Sequence, residues 1–133
     1  MSIRVPHHAL IVVADGVHAK FFRNSSHDSN PVLSSDGELK PHHLVGEGPA
    51  GKAPPEMSRQ EIEEATFAKQ LANDLYRRVH AGDFTALVLI ADPQTLGQMR
   101  PLLHKEVQAR IVLEIAKSLT KATTADIQKA LHL

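Results

Sequence analysis

The sequence predicts an α/β fold, a mixed five-stranded sheet with helices on both faces. Three observations carry it: two short runs that are almost wholly apolar, an Asp-Gly pair directly after the first run, and helical stripes that alternate with strands through the second half.

His8 to Ala14 is a continuous run rich in β-branched residues, the pattern of a strand buried on both faces. Asp15-Gly16 then signals a two-residue hairpin, whose turn positions both want positive φ. The run Val17 to Arg23 should pair back antiparallel, with Ala14 opposite Val17, Val12 opposite Ala19 and Leu10 opposite Phe21. That pairing puts His18, Lys20 and Phe22 on the other face, beside Val13 and Ile11.

Ser25 to Gly37 is polar and reads as a loop, and a third strand is expected around Glu38–Val45, kept to the edge by Pro41. Gly46 to Met57 holds three Gly and three Pro in twelve residues and reads as an exposed loop. Ser58 and Glu61 have capping-box spacing, and Phe67, Ala68, Leu71, Ala72, Leu75 and Val79 form the apolar stripe of a long helix that Gly82 ends.

Phe84 to Ala91 is the second doubly buried strand. Asp92 caps the next helix with Pro93 in its first turn, and Pro101 imposes a kink or a restart. Arg110 to Ala116 is the fifth strand, and Thr123 or Thr124 caps a last helix bearing Ile127, Ala130 and Leu131. The most apolar strands, the first and fourth, should be central, which suits a ribonuclease H-like order 3-2-1-4-5.

The 133 residues make one domain, 1–133. Fifteen basic and fifteen acidic residues cancel, so no whole-protein field draws the chain to nucleic acid or anionic membrane. The absence of Cys excludes disulfides, thiolate metal sites and thiol catalysis. The run Ala9 to Ala14 is too short for a signal-peptide core, and no stretch approaches the roughly 20 apolar residues of a membrane span, so the cytoplasm is the expected compartment.

Four stretches carry a resemblance: Val13-Ala14-Asp15-Gly16-Val17-His18-Ala19-Lys20-Phe21-Phe22, Glu63 to Leu71, Phe84 to Gly97 and Glu114 to Thr120. In order along the chain, they resemble the host attachment family ("protein required for attachment to host cells"). That family is similar in fold to the middle domain of archaeal and eukaryotic class-one release factors, where a Gly-Gly-Gln loop before the long helix promotes peptidyl-tRNA hydrolysis. Here the corresponding region reads Met57-Ser58-Arg59-Gln60-Glu61-Ile62, and Gly-Gly-Gln occurs nowhere in the sequence. The resemblance therefore implies a non-catalytic binding or regulatory protein, with RNA or the ribosome as the partner class.

The candidate binding residues are Asp15, His18, Lys20, Asp92 and Lys117. Asp15 and Asp92 end the first and fourth strands at the sheet edge where open α/β sheets bind ligands. Paired carboxylates there hold Mg²⁺ or Mn²⁺ in ribonuclease H-like nucleases, so the alternative function is a metal-dependent phosphodiesterase with Glu61 or Glu64 as third ligand. Against it, a turn and a helix cap already account for both aspartates. His18, Lys20, Arg23 and Lys117 are the candidate basic patch, set against scattered solvated charges.

His7-His8 and His42-His43 are neighbours that should point to opposite strand faces, which speaks against zinc. No catalytic, cofactor or metal motif is recognisable. Edge strands of a small domain pair readily, so a homodimer is the expected assembly, if any.

Overall fold

The computed structural model describes residues 5–27, 30–40 and 59–131. Strands β1 (Leu10–Ala14), β2 (Ala19–Asn24), β3 (Leu33–Leu39), β4 (Leu87–Ala91) and β5 (Ile111–Ala116) form one sheet in the order β3-β2-β1-β4-β5. β1 is antiparallel to β2 and parallel to β4, β2 and β3 are antiparallel, and β4 and β5 are parallel. The helices are α1 (Arg59–His80), α2 (Pro93–Met99), α3 (Lys105–Gln108) and α4 (Thr124–Leu131). The predicted fold class and strand order are both observed.

β1 and β4 are central because every one of their residues is buried. On one face Leu10, Val12, Leu87 and Leu89 meet Phe67, Leu71 and Leu75 of α1 and Leu96 and Met99 of α2. On the other, Ile11, Val13, Val88 and Ile90 meet Ile127 and Leu131 of α4. Fully burying each large side chain stabilises the fold by about 1.5–3 kcal/mol, so the α1 stripe is the main anchor of the first layer.

α1 ends as its sequence dictates. Gly82 has φ of 72°, and its N–H donates to Val79 O while Asp83 N–H donates to Arg78 O, the paired bonds of a Schellman motif. Asp92 caps α2 through Thr95 N–H, with Pro93 in the first turn. At Pro101 the helix tightens into a 3₁₀ turn, Arg100–Leu102, before His104 caps the restart as α3. Thr123 Oγ1 accepts from Asp126 N–H and so caps α4.

Three expectations need correction. The hairpin pairs Ala14 with Ala19 and Val12 with Phe21, two residues beyond the predicted register. Asp15 causes this: its N–H donates to His18 O, and its Oδ1 accepts from Val17 N–H at 2.8 Å, which builds a wider turn over residues 15–18. A slip of two preserves the faces, so the predicted partition of the side chains holds. Gly16 does not adopt positive φ.

β3 begins at Leu33, inside the segment read as a loop, and ends at Leu39. It is an edge strand with five consecutive exposed residues, so no alternation announces it. Asp36-Gly37 forms a bulge within the strand, with the register shifting opposite Lys20 to Phe22 and Gly37 at φ 106°. Pro41, His42, His43, the segment 46–57 and Ser58 lie outside the described residues, as does the Glu61 side chain.

Asn24, at the end of β2, is fully buried and fully bonded. Its Nδ2 donates to Val5 O and Pro6 O, and its Oδ1 accepts from Ser26 N–H and Val32 N–H. One amide thus ties the N-terminal segment to the β2–β3 connection, a position where an unpaired group would cost about 1–3 kcal/mol.

Candidate functional site

The parallel register Ala14↔Ala91 sets Asp15 and Asp92 at equivalent positions on one edge of the sheet, as predicted. Their side chains are engaged separately. Asp15 Oδ1 accepts from Val17 N–H, and its Oδ2 accepts from Thr120 Oγ1 at 2.8 Å. Asp92 Oδ2 accepts from Thr95 N–H at 3.1 Å, and Oδ1 from Thr95 Oγ1 at 2.7 Å. These are the bonds of a turn, a cap and one long-range tie to Thr120.

Glu64 does approach this edge. A Cβ added to Gly16 would lie 2.7 Å from Glu64 Cγ and 3.0 Å from its Oε1, so a larger residue at 16 would have to displace the Glu64 side chain. Yet among the described residues no three His, Asp or Glu side chains are grouped so as to hold a metal ion.

His18 Nε2 bonds Glu38 Oε2 at 3.1 Å across the β2–β3 ladder. That bond, the largest contribution, and the charges of His18, Lys40 and Lys20 together hold the Glu38 carboxyl below its usual range, against an opposing desolvation second only to the bond. Lys20 is half-buried and pairs in register with the same Glu38. Lys117 is exposed beyond β5, and with β1 and β4 between the two strands its backbone lies about 14 Å from that of β2. His18 and Lys20 therefore stand together, and Lys117 stands apart from them.

Arg23 belongs to the opposite end of the sheet. Its Nε donates to Asp36 Oδ2 at 3.0 Å, one Nη to Asp83 Oδ2 at 2.6 Å, and the other to Asp83 O and His8 O. Arg78 lies 4.5 Å over the Phe21 ring and bonds Asp74 and Asp83. Desolvation lowers the Arg78 pKa, but the hydrogen bonds and charges of Asp74 and Asp83 outweigh it and the net shift is upward. Sequence reasoning missed this network, because its members come from four segments with no shared motif.

It also missed Thr120, buried and 105 residues from its partner Asp15. The histidines differ from expectation too. His8 has φ of 67°, which brings its ring to 3.7 Å from that of His7, while His27 stacks on His7 at 3.6 Å. Neighbours on a regular strand would point apart; the left-handed residue removes that constraint.

No helix among the described residues is long and apolar enough to cross a membrane. A comparison with curated proteins gives no match. The family model described as bacterial archaeo-eukaryotic release factor family 12 matches residues 8–131, from the first strand to the end of the last helix. It supports the release-factor side of the resemblance and offers nothing for host attachment. Matched over nearly its whole length, the chain belongs to the bacterial archaeo-eukaryotic release factor family.

Proposed function

We propose that this chain is a non-catalytic binding or regulatory protein of translation, working as a single cytoplasmic domain on RNA or the ribosome. The observation that carries the reading is a family match over residues 8–131 in a sequence without Gly-Gly-Gln. Family membership favours RNA or the ribosome as the partner class, and the missing tripeptide argues against release-factor hydrolysis. His18 and Lys20 at the start of β2, with Lys117 beyond β5, are the residues we expect to meet phosphate.

Co-sedimentation with ribosomes, and binding of bulk tRNA, test this. Affinity should fall steeply with added salt, and Lys20→Ala should weaken binding and reduce the log–log salt slope by about one. Affinity indifferent to both salt and Lys20 would sink the reading.

A further inference from the structure

All four Phe residues, Phe21, Phe22, Phe67 and Phe84, are buried, and the chain has no Trp. Its one Tyr is treated differently. Tyr76 is 37% exposed on the outer side of α1, where it shares a helical stripe with exposed Lys69, Asn73 and His80. The His80 ring stands 4.4 Å away edge-on (83°), and the His104 ring 4.4 Å away at 42°. Three exposed rings from two helical elements thus form one patch.

Both imidazoles are fixed by bonds of their own. His104 caps α3, its Nδ1 accepting from Glu106 N–H at 3.2 Å. His80 Nε2 lies 3.2 Å from Glu106 Oε2. The rings are therefore held before any partner arrives, so little rotamer freedom remains to be lost on binding.

Exposed cations flank the rings: Lys69 and Lys105 lie beside the patch, and Arg77, which adjoins Tyr76 with 77% of its side chain exposed, is shared with Asp74. The nearby carboxylates, Glu106 and Asp74, are each paired, Glu106 with His80 and Asp74 with Arg77 and Arg78. Flat π surfaces flanked by cations match single-stranded nucleic acid, whose bases stack on rings while its phosphates meet the cations.

We infer that the Tyr76–His80–His104 surface binds single-stranded RNA by base stacking. The inference rests on the RNA reading above and gives it a base-contacting surface separate from the sheet edge. Phosphate contacts position a strand, whereas ring contacts engage its bases.

Tyr76 is the sole Tyr in a chain without Trp, so its emission reports on this surface directly. The experiment titrates the full chain with an oligouridylate of about ten nucleotides, following tyrosine emission and, separately, the anisotropy of a labelled oligonucleotide. Binding should quench the tyrosine emission. Tyr76→Ala should weaken binding about tenfold or more, while Tyr76→Phe, which keeps the ring, stays within about twofold of the parent. Circular dichroism confirms that both variants fold, as expected for an exposed position.

RNA binding with unchanged emission and unchanged affinity in Tyr76→Ala overturns this surface and leaves the RNA reading standing. Ribosome binding without oligonucleotide binding overturns it as well. A chain that binds neither ribosomes nor RNA overturns both.

Discussion

At the C-terminal edge of β1 and β4, Asp15 and Asp92 stand side by side in register yet share no partner, each tied to its own turn or cap. At the opposite end Arg23 and Arg78 gather Asp36, Asp74 and Asp83, acids that the sequence scatters across β3, α1 and the turn before β4. The first end holds acids one by one, and the second pools charges. Proximity in a sheet register does not make a site unless the side chains turn toward a common point.

The largest effect should come from breaking the pooled end. Arg23→Ala removes bonds to Asp36, to the carboxylate and carbonyl of Asp83, and to His8 O, and leaves Asp36 and Asp83 with Arg78 as their remaining counter-charge. A loss of about 2–3 kcal/mol in urea denaturation is expected. Arg23→Lys should recover only part of it, because an ammonium cannot reproduce the fork. An unchanged midpoint in Arg23→Ala would refute the comparison.

A smaller effect belongs to the other end. Asp92→Ala deletes the α2 cap and should cost about 1 kcal/mol, while Asp92→Asn, which keeps an acceptor, costs a few tenths. A melting temperature that climbs with added Mn²⁺ in the parent, and no longer does so in Asp15→Asn or Asp92→Asn, would show the two acids acting jointly after all.

The smallest effect is one of pH. Because the folded Glu38 carboxyl is held below its ordinary value, it contributes stability above that ordinary value and loses it as pH falls through the lowered one. Both partners are solvent-accessible, so the contribution to stability is slight. The titration itself is the readout: in His18→Ala the Glu38 carboxyl signal in NMR should move to higher pH. An unmoved titration would mean that His18 is not its principal partner.

Much of the fold was legible because its signals are local. Two wholly apolar runs, Asp92-Pro93 and Gly82 each carry their reason within a few residues of themselves. The misses arise where the reason lies elsewhere. β3 is polar because an edge needs no buried face, and the bulge at Asp36-Gly37 uses the same dipeptide as a turn. The hairpin widened because a side chain, Asp15, competed with the backbone for Val17 N–H. The candidate site was legible in position but not in function: Ala14↔Ala91 placed the aspartates correctly, while Thr120 and Thr95 had already claimed them. Tyr76 carries no signal of its own in the sequence; its ring partner His104 caps α3, 28 positions on.

Asn24 has a consequence for how this protein ages. Asparagine followed by serine is open to deamidation, which begins when the next backbone nitrogen attacks the side-chain amide carbon. Here Ser25 N–H is committed to Val32 O at 2.8 Å, and the amide is clamped on both its nitrogen and its oxygen. The folded chain therefore protects its own weak point. Were the reaction to occur during unfolding, the resulting aspartate would set a carboxylate against the carbonyls of Val5 and Pro6, and the damaged chain could not refold to the same N-terminal clasp.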